Sequence, residues 1–205
     1  MEEQQIKSWF ALDGDNTLNL SHNLNEDSVV MDLGAYRGKW LYDLLKRNPA
    51  LAKGKVYAIE PVPAFFDTLP KNLIEYPNVQ SRMVGVGLEN KTLGIQQTND
   101  ATSTSSSGNL DIELVTMENI LKHWNLDHVD LLQINIEGLE YELLENWIKT
   151  GLIKKFKALQ IQFHFTPIGP KDSDERKKNI QESLKKLGYT CKFNFNYVWE
   201  HWELK

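Results

Sequence analysis

An acid and two glycines, Asp32, Gly34 and Gly38, follow a short apolar run at residues 29–31. The run is typical of a buried parallel strand, and the glycines permit a tight turn and the close approach of a ligand. The turn leads into an amphipathic helix whose first amide groups have no partner within the helix. This pattern indicates a nucleotide-binding loop, and a purely structural strand, turn and helix is the alternative.

The spacing of the glycines separates two classes of nucleotide ligand. Dinucleotide dehydrogenases need glycines two and five positions after the first, and those positions after Gly34 hold Tyr36 and Lys39. The observed order of acid, any residue, glycine, three residues and glycine resembles instead the first motif of S-adenosylmethionine (SAM) methyltransferases. Because SAM has no pyrophosphate, one glycine at the point of closest approach suffices.

A second acid, Glu60, ends the apolar run at residues 56–59. In a doubly wound sheet, an acid at the end of the second strand accepts hydrogen bonds from the ribose hydroxyls of a bound nucleoside. We expect Asp32 to order the turn or the amino acid end of the ligand. The predicted cofactor-binding residues are Asp32, Gly34, Ala35, Tyr36, Gly38, Glu60, Pro61 and Val86.

Polar side chains occupy alternate positions of two later runs, residues 129–136 with the acid that follows them and residues 159–165. They are Gln133, Asn135, Glu137, Gln160, Gln162 and His164. Central parallel strands are expected to be almost continuously apolar, so these stripes favour a cleft at the strand ends. The alternatives are a ladder of buried amides satisfied internally and a sheet face open to water.

Composition limits the class of protein. The 205 residues fit one domain better than two very small ones. The formal charge of −5 argues against a general nucleic-acid binder. No apolar run suits a membrane span, and residues 1–7 lack the features of a signal peptide. Cys191 is the only cysteine, so no intrachain disulfide can form, which favours a cytoplasmic location.

Strand and helix patterns alternate along the chain and end in a hairpin-like segment at residues 189–202. This order predicts an α/β fold with a mostly parallel sheet of about seven strands, the last antiparallel, and helices on both faces. With no repeat or linker, we expect a single domain over residues 1–205, in which 1–27 form a cap and 28–205 the core.

Two segments lie outside this alternation. Residues 13–16 are a dense turn signal, and residues 17–19 are predicted to form a short edge strand. The composition changes at residue 91, and the Ser- and Thr-rich segment 101–108 has no apolar periodicity. We interpret it either as a mobile loop that folds over a ligand or as a surface excursion.

Four stretches together resemble the FkbM-type methyltransferases, over nearly the whole chain. They are Trp9 with residues 13–15, residues 28–38, residues 59–61 and residues 130–138. The resemblance implies a Rossmann-like class I methyltransferase fold with SAM as cofactor and S-adenosylhomocysteine (SAH) as product. It also implies methyl transfer to a hydroxyl of a sugar, polysaccharide or related natural product, and hence a small-molecule or glycan partner.

Three positions depart from the family pattern. Gln133 and Asn135 stand where family members commonly have Lys and Asp, and Gln162 stands where an acid is frequent. The amides preserve hydrogen-bonding shape while the local electric field changes. The alternative function is therefore a SAM- or SAH-binding module that has lost catalysis, and a dehydrogenase is the third.

His164, Glu137 and Asn135 are the candidate catalytic residues. Methyl transfer to a hydroxyl requires the loss of a proton, and an imidazole such as that of His164 titrates near neutral pH, where a general base is useful. Glu137 is expected to orient the imidazole or the acceptor, and Asn135 to hold the acceptor hydroxyl. The alternative is that His164 only satisfies a backbone group. With one carboxylate in the stripes, we expect no required metal.

Overall fold

The computed structural model of the chain describes residues 2–98, 101–104, 110–166, 168–196 and 198–205. The helices are α1 (Glu2–Ala11), α2 (Lys39–Arg47), α3 (Pro63–Phe66), α4 (Leu69–Asn72), α5 (Met117–His123), α6 (Glu140–Thr150) and α7 (Ser173–Lys186). The strands are β1 (Val29–Leu33), β2 (Lys55–Ile59), β3 (Val79–Arg82), β4 (Gly85–Gly87), β5 (Lys91–Thr98), β6 (Ala101–Thr104), β7 (Leu110–Thr116), β8 (Val129–Ile134), β9 (Phe156–Ile161), β10 (Tyr189–Phe195) and β11 (Trp199–Leu204). None of the helices described is long and apolar enough to cross a membrane.

A seven-stranded sheet in the order β10-β11-β9-β8-β1-β2-β3 forms the centre of the molecule. Strands β3, β2, β1, β8 and β9 pair in parallel, whereas β11 is antiparallel to both β9 and β10. The predicted α/β fold with a mostly parallel sheet and an antiparallel last strand is thereby confirmed.

The central strands are apolar because both faces of the sheet are covered. All five residues of β1 are buried. Met31 packs in the cluster that includes Leu144 of α6 and Ile180 of α7, whereas Val30 packs in the cluster that includes Leu44 of α2. This arrangement explains the continuous apolar runs and places all loops that follow parallel strands at one edge of the sheet.

A second sheet, in the order β4-β7-β5-β6, was not expected from the sequence. The prediction of an irregular loop over residues 101–108 is wrong for residues 101–104, which form β6 and pair antiparallel with β5. Residues 105–108 lie outside the described residues. Residues 79–87 are divided into β3 of the large sheet and β4 of the second.

The N-terminal segment packs as a helix and a turn. Trp9 of α1 is buried, lies 5.3 Å from the ring of Phe195, and donates a hydrogen bond from Nε1 to Asp15 at 3.0 Å. The edge strand predicted at residues 17–19 is wrong, because Leu18–Leu20 form a 3₁₀ turn. The prediction of one domain, with residues 1–27 as its cap, stays a prediction.

Candidate functional site

A cavity of about 500 Å³ opens at the carboxyl ends of β1, β2 and β8, and β4, β5 and β7 of the second sheet form its far wall. A volume of this size is typical of a small-molecule site. Seven of the predicted site residues line it, namely Gly34, Tyr36, Glu60, Pro61, Val86, Asn135 and Glu137. Asp32, Ala35, Gly38 and His164 are not among its lining residues.

Glu60 holds the two loops that follow β1 and β2 against each other. Its carboxylate accepts hydrogen bonds from the backbone N–H of Tyr36 at 2.8 Å and of Val62 at 2.9 Å. Burial raises the pKa of Glu60 to about 7, although both amide hydrogen bonds act in the opposite direction. The side chain therefore titrates near neutral pH at the surface of the cavity.

Asp32 is buried within β1, in register with Ala58 of β2 and Gln133 of β8. Neither of its carboxylate oxygens has a hydrogen-bond partner among the described residues. Burial raises the pKa of Asp32 well above its usual range, and the charge of Glu60 raises it further. Asp32 is therefore adjacent to the cavity-lining loop rather than part of the cavity surface.

The glycines of the loop after β1 lie so close to other parts of the protein that a side chain would collide with them. Gly34 has φ +80°, and a Cβ placed on it would lie 1.9 Å from the carbonyl oxygen of Asn135. Gly38, at φ +81°, precedes α2, and a Cβ there would lie 2.9 Å from Leu69. The backbone N–H of Ala35 donates to Ile59 at 3.0 Å, which continues the pairing of β1 with β2.

Aromatic rings form one side of the cavity. Tyr36 has φ +52°, an uncommon conformation for a bulky residue, and its ring centroid lies 4.4 Å from that of Phe65. The guanidinium of Arg37 lies 5.1 Å from the centroid of Tyr36 and 5.7 Å from that of Phe65. These apolar faces suit the flat base of a nucleoside.

The turn after β8 brings two of the candidate catalytic residues to the cavity. Asn135 continues the pairing with β1 through its N–H, which donates to the carbonyl of Leu33, while its side-chain Oδ1 is buried and has no hydrogen-bond partner in the part of the chain that the structure describes. Glu137 has φ +54° and the following Gly138 has φ +100°. Strained backbone of this kind concentrates at functional sites.

His164 lies behind Glu137, in the segment that follows β9. Its Nε2 is 3.7 Å from Oε2 of Glu137, and its Nδ1 is 3.2 Å from Oε1 of Glu140. Burial lowers the pKa of His164, but the hydrogen bond and charge of Glu140 and the charge of Glu137 outweigh it and raise the pKa. Burial also raises the pKa of Glu137, against the effect of His164.

The polar stripes only partly reach the site. Gln160 is fully buried and donates from Nε2 to the carbonyl of Asn19 at 3.2 Å, and Gln133 is also buried within the sheet. Both residues are therefore buried amides, but they are not satisfied internally, because Oε1 of each has no hydrogen-bond partner among the described residues. Because β9 ends at Ile161, His164 extends past the strand and does not continue its alternation.

Glu140 is the part of this site that the sequence analysis did not identify. It is the first residue of α6, and it is fully buried between the two loops that carry Glu137 and His164. The signal available in the sequence was a second acid three residues after Glu137. No group of three or more His, Cys, Asp or Glu side chains suited to a metal occurs in the described residues, and the absence of a metal requirement stays a prediction.

Comparisons with known proteins agree with this geometry. Residues 32–191 match the family described as the methyltransferase FkbM domain. The crystal structure of an FkbM methyltransferase from Methylobacillus flagellatus KT is similar at a TM-score of 0.61 and 16% identity, covering 89% of this chain. The present chain spans only 45% of that protein.

Other solved structures share the fold at lower identity. A putative rRNA methylase from Clostridium thermocellum has a TM-score of 0.58 and 8% identity, with 95% of this chain and 96% of the other covered. Fibrillarin from Aeropyrum pernix with bound SAM has a TM-score of 0.51 and 10% identity, with 92% and 72% covered. No curated protein matches the sequence. Because the family match extends over most of the chain, including both the cavity loops and the His164 segment, the chain belongs to the FkbM methyltransferase family.

Proposed function

We propose that this SAM-dependent methyltransferase transfers the methyl group of SAM to a hydroxyl oxygen of a sugar, polysaccharide or related natural product. The observation that carries the proposal is the acid and imidazole pair at the edge of the cavity, Glu137 and His164, whose closest N and O atoms are 3.7 Å apart. A hydroxyl must lose its proton during the transfer, and such a pair is suited to accept it.

The residues around the cavity fit the cofactor. Glu60 offers a carboxylate to the ribose hydroxyls, the Tyr36 and Phe65 rings offer apolar faces to the adenine, and Val86 closes the far wall. Gly34 and Pro61 line the same surface, while Ala35 and Gly38 belong to the loop that Asp32 precedes. When bound, SAM supplies an electrophilic methyl group.

The proposed chemistry then depends on three side chains. Asn135 lines the cavity and holds the acceptor hydroxyl by donating a hydrogen bond from its side-chain amide to the hydroxyl oxygen, which leaves the hydroxyl proton for the base. Glu137 lines the cavity and orients the hydroxyl against the imidazole. His164 Nε2 accepts the proton as general base. Burial of the His164 side chain, which is 9% exposed, keeps the imidazole in place.

Turnover of His164→Ala tests this assignment. We expect kcat to fall by roughly 10²-fold or more, with SAM affinity nearly unchanged, because general-base catalysis contributes about 10²–10⁴ in rate. The assay uses SAM labelled in its methyl group and a panel of hexose, polysaccharide and polyketide acceptors. His128→Ala is the matched control, since His128 is 43% exposed beside Asp130. Wild-type turnover in His164→Ala would refute the assignment and make Glu137 the base to test.

The acceptor class rests on the chemistry of the site and on charge. One structural neighbour is named a putative rRNA methylase, and another is a fibrillarin. The formal charge of −5 on this chain nevertheless disfavours a polyanionic acceptor such as RNA. We therefore propose a small-molecule or glycan acceptor, no nucleic-acid partner and a cytoplasmic location.

A binding module without catalysis is the second candidate function. It is favoured by the amides at positions 133 and 135, where the side-chain oxygens are buried and have no partner among the described residues. Calorimetric titration with SAH, together with the labelled-methyl assay, separates the two functions. Tight SAH binding with no transfer to any acceptor class would support the binding module.

A further inference from the structure

Glu140 lies between the two loops that carry the proposed catalytic pair, Glu137 and His164. It belongs neither to the motif at residues 130–138 nor to the cavity lining. Its side chain is fully buried and does not line the cavity. Oε2 accepts a hydrogen bond from the backbone N–H of Gly138 at 2.8 Å. Oε1 accepts one from the backbone N–H of His164 at 2.7 Å and lies 3.2 Å from the imidazole Nδ1. One carboxylate thus joins the turn after β8 to the segment after β9.

We infer that Glu140 is a positioning residue that fixes His164 as the Nδ1–H tautomer and directs its Nε2 lone pair toward Glu137. The inference rests on the proposed function for its catalytic meaning. A carboxylate only accepts hydrogen bonds, so the nitrogen that faces Oε1 must carry the proton. The other nitrogen of the neutral ring is then free to accept one from a substrate.

Helix α6 holds His164 at three points. Besides the two contacts with Glu140, the hydroxyl of Tyr141 donates to the backbone carbonyl of His164 at 2.9 Å. The N–H, the carbonyl and the ring Nδ1 of His164 are thereby fixed by two successive helical residues. At 3.7 Å, Nε2 is too far from Glu137 for a direct hydrogen bond, so it is available to a hydroxyl that lies beside the two groups.

The other charged group near this segment is already paired. Lys177 of α7 lies 5.3 Å from the ring centroid of Phe163 and 5.5 Å from that of Phe165, the two neighbours of His164. Its Nζ is 2.6 Å from the buried carboxylate of Glu200. Glu140 and Glu137 are consequently the two carboxylates that raise the pKa of the imidazole.

Nitrogen-15 NMR of the full chain labelled at histidine tests the inference, with the His164 signals assigned by His164→Ala. We expect the wild-type ring in the Nδ1–H form. In Glu140→Gln the size is kept but the charge is lost, so the pKa of His164 should fall by about 1 unit or more and the tautomer should become mixed. In Tyr141→Phe, which removes the contacts of the hydroxyl with the His164 carbonyl and with Ser173 but leaves Glu140 unchanged, both should stay as in the wild type.

A wild-type ring in the Nε2–H form would overturn the inference, whether or not Glu140→Gln folds. An unchanged tautomer and pKa in folded Glu140→Gln would also overturn it. In the activity assay, the acid limb of the kcat profile should move to lower pH by the same shift, whereas a purely structural defect would lower kcat evenly at all pH values. If His164→Ala retains turnover while NMR shows the Nδ1–H form, the assignment of His164 as the base fails and the positioning by Glu140 stands.

Discussion

Glu60 makes the stability of the protein depend on pH in an unusual direction for an acid. Its pKa rises from 4.5 to about 7 on folding because it is buried. The folded state then binds more protons than the unfolded state between these values, so the free energy of unfolding falls by about 3 kcal/mol as pH rises from 4.5 to 7. Urea denaturation of wild type and Glu60→Gln across this range should show a fall that is smaller in the variant. Parallel curves would contradict the prediction.

The same carboxyl group should govern cofactor affinity. Glu60→Ala is expected to weaken SAM binding by about 1.5–3 kcal/mol, the usual contribution of a charged hydrogen bond. Because the ionised form accepts hydrogen bonds best, wild-type affinity should also fall as pH decreases below about 7. Calorimetric titration with SAM at several pH values measures both effects. Undiminished affinity in the variant would place the ribose elsewhere.

Activity should not depend on a divalent metal. Glu137 is the one acid of the polar stripes that reaches the cavity, and its neighbour in the stripe, Asn135, is an uncharged amide. Magnesium usually binds through one or two carboxylates with further oxygens. Methyl transfer is therefore expected to continue at the same rate in excess EDTA. Loss of activity with EDTA and its return with magnesium would show that the prediction is wrong.

Single residues were predictable from sequence where a local pattern determines their place. Gly34, Glu60 and Asn135 each follow a strong apolar run, and strand ends of a parallel sheet meet at one edge. Glu140 was not predictable in this way, because its role depends on a contact with His164, 24 residues further along the chain. Its burial also could not be read from its charge, since acids are mostly exposed.

The loop between β1 and α2 should tolerate no side chain at Gly34. Gly34→Ala combines a left-handed backbone at φ +80° with a Cβ that would lie 1.9 Å from the Asn135 carbonyl oxygen. Gly151→Ala is a matched control, with φ +82° and no atom within 4 Å of the added Cβ. Gly34→Ala should lose about 1–3 kcal/mol more unfolding free energy than Gly151→Ala in urea denaturation. Equal losses would indicate that the backbone conformation alone matters.

The strands of the large sheet were predictable because their apolar runs are covered on both sides, as in β1 and β8. The second sheet was not, since its strands have no apolar runs of this kind. In β7 the burial is partial, and β6 has the sequence Ala-Thr-Ser-Thr, which lacks apolar alternation. Backbone pairing with β5, rather than an apolar face, gives β6 its strand form.

Ligand binding should slow hydrogen exchange in the second sheet as well as in the glycine loop after β1. Since β4 and β7 contribute Val86 and Leu114 to the cavity wall, bound SAH should slow their local opening. Hydrogen exchange at a hundredfold excess of SAH over its Kd is expected to slow by more than tenfold in these strands. Helix α1, which is not part of the cavity, is the internal control. Equal protection of α1 and β4 would point to a general stabilisation without contact.

The contact of α1 with β10 has a consequence for how the chain is made. Trp9 packs against Phe193 and Phe195, and β11 inserts between β9 and β10 in the large sheet. A ribosome releases α1 long before it synthesises those strands, whereas β1 and β2 can pair as soon as both have emerged. Trp9 therefore cannot complete its packing until β10 has left the ribosome, and its burial reports that β10 has joined the sheet.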